Sequence, residues 1–593
     1  MPTTPTLAED LLAGRRALEA RQSIKVVDDW KWEAPLERWG LQVQVEVAGL
    51  SKLPARTDWF LLVDAAYPFG EIDVFPSNTE YGITTTLPHQ EFNDVLAGLP
   101  FRSGKICLSD PIASLGRGAA LSEPFTADER LLWHVDRLTE WIKAADSGDL
   151  QRKGDHFELP HFPSTGPDAL GFNETEDSFQ RWQHAKAVHG SASVVMINGM
   201  SLAVTEFREF GSNFRYSPDW GTAIDSAEAS RAIWLRLPDL PLVKDWQVPT
   251  TWGELDNVCN QQGVKLFPVL QSLTRGIRDG KQHLLLIGFP IPTTFGCPPT
   301  QLHWQTIRLP LLSNGKSTAR GFRANDQGFW RRDLEKSFTA GQKIQWLSSS
   351  NWSNRSIRAR GGLIGDVADN CVAIVGCGSL GSSIAELLVR LGLRRAVLID
   401  GDNLLTPNLS RHTLSLPDVG ENKAKALAGR LNTTNPFAAV TSIPTNLSQA
   451  KPLPTELKQA DIIIDCSGSD AVLRVLSTNK FDESKAFFSF SMARGATRLY
   501  AFCAAGNSFP VDDFHRTTQP TLKAEAEVAA KENLQWESAG CWHPLFPARL
   551  DDIWTLAAAA TKWIENHMRS STPLFEILPA QAEIIRAPDM VLG

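Results

Sequence analysis

From Asn351 onward, the chain alternates between two kinds of apolar pattern. "CVAIVG", "RAVLID" and "ADIIIDCSG" are short continuous apolar runs, as expected of strands buried on both faces. Between them, "SLGSSIAELLVRLGL", "NKAKALAGRLN" and "DAVLRVLSTN" return apolar residues at helical spacing, the stripe of an amphipathic helix. Strand and helix in regular alternation predict a largely parallel α/β sheet with right-handed crossovers.

The pattern is different before that point. Leu7 to Gln22 reads as an amphipathic helix, followed by strand-like runs such as "LQVQVEVAGL" and "TDWFLLVDAAY". A second helix is predicted from Thr126. Thr126 and Glu129 stand at capping-box spacing, and Leu131, Leu132, Val135, Leu138 and Ile142 form one apolar stripe. The middle of the chain is rich in Pro and Trp, with β-like segments "ASVVMINGM", "KQHLLLIGF" and "HWQTIRLPLL", and reads as a mixed or mainly β connector. At 593 residues the chain is too long for one core. The expected domains are 1–159, 160–350 and 351–593.

Composition narrows the function classes. A net charge of −8 argues against a nucleic-acid partner, which a basic surface would serve. No apolar run approaches the roughly 20 residues of a membrane span, and the N-terminus has no signal-peptide core. The eight cysteines form no CxxC pair, so neither a zinc ribbon nor a disulfide framework is indicated. Free thiols in a reducing cytoplasm are the expectation.

The chemistry begins at Gly376-Cys-Gly378-Ser-Leu-Gly381, a GxGxxG between a strand and a helix. Such glycines permit a tight turn and close backbone approach to a phosphate, which the helix N-terminus then attracts. Asp400 ends the next strand, where a carboxylate accepts from ribose hydroxyls. These residues alone fit a nicotinamide-dependent dehydrogenase equally well. The downstream stretch favours another reaction. Asn408-Leu-Ser-Arg411 and Gly420-Glu-Asn-Lys423 place two cations where a dehydrogenase has no use for them. An enzyme that cleaves ATP between its α- and β-phosphates needs such charge.

"D-x-D…N-L-x-R…G-x-x-K" resembles the adenylation domain shared by ubiquitin-activating enzymes and the ThiF and MoeB adenylyltransferases, over about 351–593. The resemblance implies a Rossmann-like domain that binds ATP and Mg2+. It implies Asp400 for the ribose, Arg411 and Lys423 for the phosphates and Asn408 in the same pocket. It also implies a metal-binding aspartate after the next strand. In "DCSGSD" either Asp465 or Asp470 fits that role, and Asp465 fits a turn-ordering role as well. Two such domains commonly pair, one lending an arginine, for which Arg355, Arg358 and Arg360 are candidates. The zinc cysteines usual in ThiF and MoeB are absent.

In that setting "GCWHP" gains a meaning. An acyl adenylate is attacked by a cysteine on an exposed loop, and Cys541 follows a polar stretch and precedes "DDIWTLAAAATKWIENHM". His543 fits either a role in lowering the thiol pKa or one in ordering the loop. Cys107 lies in "GKICLSDP", which resembles the active-site segment of ubiquitin-conjugating enzymes, as "YPFGEIDVFP" resembles their Tyr-Pro-Phe element. That resemblance implies an N-terminal α+β conjugating-enzyme fold. The His-Pro-Asn usual before the cysteine is missing, with His89 and Asn93 as substitutes farther upstream. His134 in "LLWHVDRL" reads as helix packing.

The layout as a whole resembles the bacterial fusion proteins of antiphage CBASS operons, in which conjugating-like and activating-like domains share one chain. The resemblance implies a homodimer that conjugates the C-terminus of a CD-NTase (cGAS-like) nucleotidyltransferase to acceptor lysines, with Cys541 and Cys107 relaying the thioester. Three other readings remain open: a sulfur-carrier adenylyltransferase with a passive N-terminal module, a nicotinamide-dependent oxidoreductase, and a nucleotide-binding adaptor.

Overall fold

In each of three sheets, alternate residues face two different apolar cores, so side-chain alternation sets the layering. The computed structural model describes residues 6–108, 123–315, 321–529, 546–570 and 572–580. They fall into two units, one comprising residues 1–218 and 228–351, the other residues 219–227 and 352–593.

The first unit opens with α1 (Glu9–Glu19), then β1 (Ile24–Val26), β2 (Lys31–Glu33), β3 (Arg38–Glu46), β4 (Arg56–Asp64), β5 (Ile72–Pro76) and α2 (Ala127–Ser147). The strands form an antiparallel meander in the order β1-β3-β4-β5, with β2 also on β3. Leu41, Val43, Val45, Trp59, Leu61 and Val63 point to one face, and α1 and α2 cover it with Leu11, Leu18 and the predicted stripe of Leu131, Val135, Leu138 and Ile142. Phe60 and Leu62, between them in sequence, meet Phe101 on the other face. Helix α2 starts at Thr126 as predicted, without the full capping box. The Thr126 hydroxyl donates to the Glu129 carboxylate at 2.9 Å, and no side-chain bond reaches the backbone.

The connector strands are β6 (Ser164–Phe172), β7 (His189–Met196), β8 (Ser201–Glu209), β9 (Arg215–Tyr216), β10 (Ser230–Arg236), β11 (Leu284–Ile291), β12 (Gln301–Arg308) and β13 (Gln345–Asn351). Their order is β6-β13-β12-β11-β10-β7-β8-β9, and β6 also pairs with β8, so the sheet curls back on itself. Helices α3 (Glu176–Ala185), α4 (Trp252–Gln261), α5 (Leu266–Thr274) and α6 (Asp326–Lys336) complete it. One core gathers Trp182, Trp234, Trp304, Phe172 and Phe207. At its polar centre the buried Glu174 carboxylate accepts from the indoles of Trp182 and Trp304 at 3.0 and 2.8 Å. Burial pushes its pKa up to about 7.

The second unit contains α7 (Asn354–Arg358), α8 (Gly365–Ala368), β14 (Cys371–Val375), α9 (Ser379–Arg390), β15 (Arg395–Ile399), α10 (Lys423–Asn432), β16 (Ala439–Ile443), α11 (Thr455–Gln459), β17 (Ile462–Asp465), α12 (Asp470–Thr478), β18 (Lys485–Met492), β19 (Arg498–Gly506), α13 (Val511–Ala529), α14 (Leu550–His567) and β20 (Leu574–Pro579). The sheet order is β16-β15-β14-β17-β18-β19-β20. The first five strands are parallel, as the pattern predicted, and the last two are antiparallel. Val372, Ile374, Ile462 and Ile464 enter the core under α9 and α14, while Ala373, Val375 and Ile463 enter the opposite core.

Helix α13 runs through Pro520 and takes in residues 521–529 of the polar stretch before Cys541, whose remainder lies outside the described residues. A strand not expected from the sequence, β20, follows α14 and pairs with β19. Its sequence "LFEILP" is half exposed, so it lacks the continuous apolar signal of the central strands.

Candidate functional site

Strand order reverses at β14, with β15 and β16 to one side and β17 and β18 to the other. In an open α/β sheet such a reversal leaves a crevice at the strands' C-terminal ends. The glycine loop occupies that position. Gly376 adopts φ +89°, and a Cβ on it would lie 2.7 Å from the Ser467 backbone. A Cβ on Gly381 would lie 2.0 Å from the Gly376 carbonyl oxygen. The fold itself therefore requires both. Gly378 differs, because nothing lies within 4 Å of its Cβ position. It precedes α9, whose first N–H groups receive no side-chain cap. An open cradle at an uncapped helix start suits a phosphate.

Asp400 closes β15 beside this cradle. Its Oδ2 accepts from the Cys377 N–H at 2.7 Å, and its Oδ1 accepts from the Asp402 N–H at 2.8 Å. Lys423, at the first turn of α10, donates from Nζ to Asp402 Oδ2 at 3.1 Å and is mostly shielded from solvent. Asn408 accepts from the Leu405 N–H at 3.0 Å and so shapes the turn that ends at Arg411. Arg411 donates to the Phe546 carbonyl at 2.8 Å. Phe546 is the first described residue after 530–545, the stretch carrying Cys541 and His543, which lie outside the described residues. The structure thus gathers Gly376, Gly378, Gly381, Asp400 and Lys423 at one end of the sheet, with Asn408 and Arg411 on the same connection.

Sequence reasoning overlooked two supports. His412 Nδ1 accepts from the Leu414 N–H at 3.0 Å, so Nε2 carries the hydrogen and donates to the Cys377 carbonyl at 2.7 Å. Burial lowers its pKa and keeps it neutral. Asn422 donates to the carbonyls of Asp400 and Asp402 at 2.9 and 3.1 Å while accepting from the Lys425 N–H at 3.0 Å to cap α10. Their adjacency to Arg411 and Lys423 was the only sequence signal.

The two acids, one ending β17 and one opening α12, separate clearly. Asp465 is buried and accepts from the Ser467 N–H and hydroxyl at 3.0 and 2.5 Å and from the Ser489 hydroxyl at 3.0 Å. Burial raises its pKa in spite of those bonds. Asp470 is exposed at the first position of α12. Among the described residues no cluster of three or more His, Cys, Asp or Glu could hold a metal alone. Of the three arginines, Arg358 donates to the Leu363 carbonyl of its own chain, while Arg355 and Arg360 are exposed.

In the first unit Cys107 is exposed and lines a cavity of about 560 Å3 with Asp73, His89, Lys105, Glu158 and Gln305. Its N–H donates to the His89 carbonyl at 2.9 Å. Asn93 is buried, and its amide is consumed by structure. Nδ2 donates to the carbonyls of Ile83 and Thr85 at 2.8 and 2.9 Å, and Oδ1 accepts from Arg102 Nε at 2.9 Å. Asn93 is therefore corrected from a chemical candidate to a scaffold residue. His134 lines the same cavity, but its Nε2 pairs with Glu123 at 2.9 Å. His134 and then Arg130 hold that carboxylate down to about 2, against its burial. No helix among the described residues is long and apolar enough to cross a membrane.

Comparison with known proteins agrees with this geometry. The family model described as the Cap2 central linker domain matches residues 148–352, and that of the ThiF family matches 363–533. An ATP-dependent ubiquitin transferase-like protein Cap2 from Enterobacter hormaechei subsp. hoffmannii (strain UCI 50) is 35% identical over 543 residues, 89% of each chain. A Cap2 from Pseudomonas aeruginosa (strain BWHPSA011 / Pa011) is 33% identical over 18% of this chain and 19% of its own. The molybdopterin-synthase adenylyltransferase of Escherichia coli (strain K12) is 33% identical over 19% of this chain and 45% of its own. With a ThiF-type adenylation domain and a likeness that spans nearly nine-tenths of the Enterobacter protein, the chain belongs to the Cap2 family of ATP-dependent ubiquitin transferase-like enzymes.

Proposed function

We propose that the chain uses ATP to activate the C-terminal carboxylate of a partner protein and transfers that terminus, through Cys541 and then Cys107, to an acceptor lysine. The observation that carries this reading is the pairing of a phosphate cradle at Gly378, flanked by Asp400, Lys423 and Arg411, with an exposed thiol at Cys107 in its own cavity. The domains would be a conjugating-enzyme-like 1–159, a connector 160–350 and an adenylation domain 351–593. The helix–meander–helix order of the first of these supports its part.

In the first step the carboxylate oxygen bonds to the α-phosphorus of ATP, and pyrophosphate leaves with the electron pair of the broken P–O bond. Lys423 and Arg411 offset the charge that builds there. The Cys541 thiolate displaces AMP from the acyl carbon, the Cys107 thiolate displaces Cys541, and a lysine amine displaces Cys107 to leave an amide. Mg2+ would be held by Asp470 or Asp465 together with the phosphates, the exposed Asp470 being the better placed, and would neutralise phosphate charge.

Arg411 bonds to the carbonyl at the foot of the Cys541 segment, which suits a hand-over between adenylate and thiol. By family resemblance the partner is a cGAS-like nucleotidyltransferase of an antiphage system, the enzyme is a cytoplasmic homodimer, and neither nucleic acid nor membrane takes part. Incubation with ATP and that partner, followed by non-reducing electrophoresis, tests the proposal. Reducible adducts should disappear with Cys541→Ala, and a Cys541 adduct should accumulate with Cys107→Ala. Transfer of sulfur to the partner, with no reducible adduct on either cysteine, would establish a sulfur-carrier enzyme instead.

A further inference from the structure

The cavity at Cys107 takes its walls from two parts of the chain. Ile72 and Val74 of β5, with Ile106 and Leu108 beside the cysteine, form one side, and Phe162, His303 and Gln305 of the connector form another. His303 and Gln305 share a face of β12 with Ile307, which packs in an apolar core with Phe289 and Ile291. Across the ladder they stand opposite Phe289 and Ile287. Two buried polar side chains on such a face cost stability unless their hydrogen bonds are met.

Gln305 meets its own. Its Nε2 donates to the Leu347 carbonyl at 2.7 Å, and its Oε1 accepts from His303 Nε2 at 3.2 Å. That second bond fixes the tautomer, so the hydrogen sits on Nε2 and Nδ1 carries the lone pair. The ring lies 5.3 Å from that of Phe289 and is 5% exposed. Burial holds its pKa down to about 4, which keeps it neutral. His303 Nδ1 has no partner among the described residues. His134 Nδ1 is unpaired as well, but it is enclosed by packing, whereas His303 Nδ1 is not. The carboxylates on the cavity are already matched: Asp73 with Arg38 at 2.6 Å, Glu91 with Lys105 at 3.8 Å and Glu158 with His89 at 2.9 Å.

On the reading that Cys107 carries the thioester, we infer that this cavity is the subsite for the acceptor's lysine side chain, with His303 Nδ1 accepting an N–H of its amine. An unspent acceptor on a buried wall selects for a hydrogen-bond donor. An aliphatic side chain would leave Nδ1 unpaired, and a carboxylate would meet a lone pair where it needs a hydrogen. Ile72, Val74, Ile106 and Phe162 suit the methylene stem that lysine adds to its donor. Entry into an apolar cavity of about 560 Å3 favours the uncharged amine, the form that can attack. One N–H goes to Nδ1 and the amine lone pair stays free. The nitrogen bonds to the thioester carbon, the C–S bond breaks, Cys107 leaves as thiolate, and the amine proton passes to water. Phe162 and His303 lie inside the matched linker region, so the connector becomes part of the substrate site rather than a spacer.

The test charges full-length protein with ATP and partner, removes ATP, and follows discharge of the Cys107 adduct onto free amines. On unaltered protein, n-butylamine should saturate discharge at about tenfold lower concentration than methylamine, which has like basicity and no stem. His303→Phe should raise the KM for free lysine about tenfold and lower the preference for lysine over hydroxylamine by the same factor. His303→Asn, which offers a carbonyl oxygen as acceptor, should recover most of that loss. Equal discharge by methylamine and n-butylamine overturns the inference. So does an unchanged lysine preference in His303→Phe, or a loss that His303→Asn fails to recover. A folded His303→Phe protein that no longer charges Cys107 gives the cavity to the activated C-terminal tail and overturns the inference too. Should His303→Phe fail to fold, the amine series on unaltered protein decides alone. Absence of any adduct on wild-type Cys107 overturns instead the parent reading, and this one with it.

Discussion

The nucleotide end of the second unit and the Cys107 cavity of the first are built on opposite plans. The former is a backbone site, drawn almost wholly from residues 376–423, with glycine geometry and a bare helix start at its centre. The latter is a side-chain site whose walls come from Asp73, His89, Cys107, Glu158, Gln305 and Ser349. A phosphate can be recognised by the N–H groups of one local turn. On the proposed function the thiol meets a variable amine, a task that draws on groups from distant segments. Short-range sequence therefore writes the first site and only hints at the second.

Four experiments put that contrast to the test. Cys107→Ala should abolish conjugate altogether, and a variant that still forms conjugate would remove the second site from the comparison. Gly378→Ala comes next. Its Cβ meets nothing within 4 Å, so the melting temperature should hold while ATP–pyrophosphate exchange drops at least tenfold; loss of stability instead would show that the cradle is ordinary packing.

The third concerns the wall that β12 gives to the Cys107 cavity. Trp304 on that strand binds Glu174, whose folded pKa of about 7 lies above its ordinary value near 4.5. The folded state binds that proton more tightly. Stability from this group is therefore complete below pH 4.5 and declines until the pH passes 7, by a few kcal/mol at most. Glu174→Gln keeps an acceptor for the indoles, so it should flatten the stability difference of the first unit between pH 5 and 8, measured by denaturant unfolding. The smallest effect is expected at His412→Ala. It frees the Cys377 carbonyl at a cost of about 1–2 kcal/mol and should raise the KM for ATP severalfold, with no change in discharge from Cys107.

Several features of the fold are legible in the amino-acid pattern. The strand–helix alternation predicts the parallel half of the last sheet, because strands buried on both faces must be continuously apolar. The β-like runs of the middle region appear as β7, β11 and β12. Helix α13 and strand β20 are not legible, since α13 runs through Pro520, which in sequence marks a break, and β20 is a half-exposed edge strand without continuous apolar signal. The choice between Asp465 and Asp470 is equally hidden. The two acids end β17 and begin α12, and only the approach of Ser489 from β18 shows that Asp465 is engaged across the sheet.

The glycine loop, the acid at the end of β15 and the cations that follow are written in the amino-acid order alone, because backbone geometry and short spacing suffice to bring them to one end of the sheet. It took the packed molecule to show that His412 and Asn422 brace that loop, that Asn93 is scaffold, and that Glu158 reaches His89 across 69 residues of chain. Those contacts join segments far apart in sequence, and a hydrogen bond between such segments leaves no periodic trace in either one.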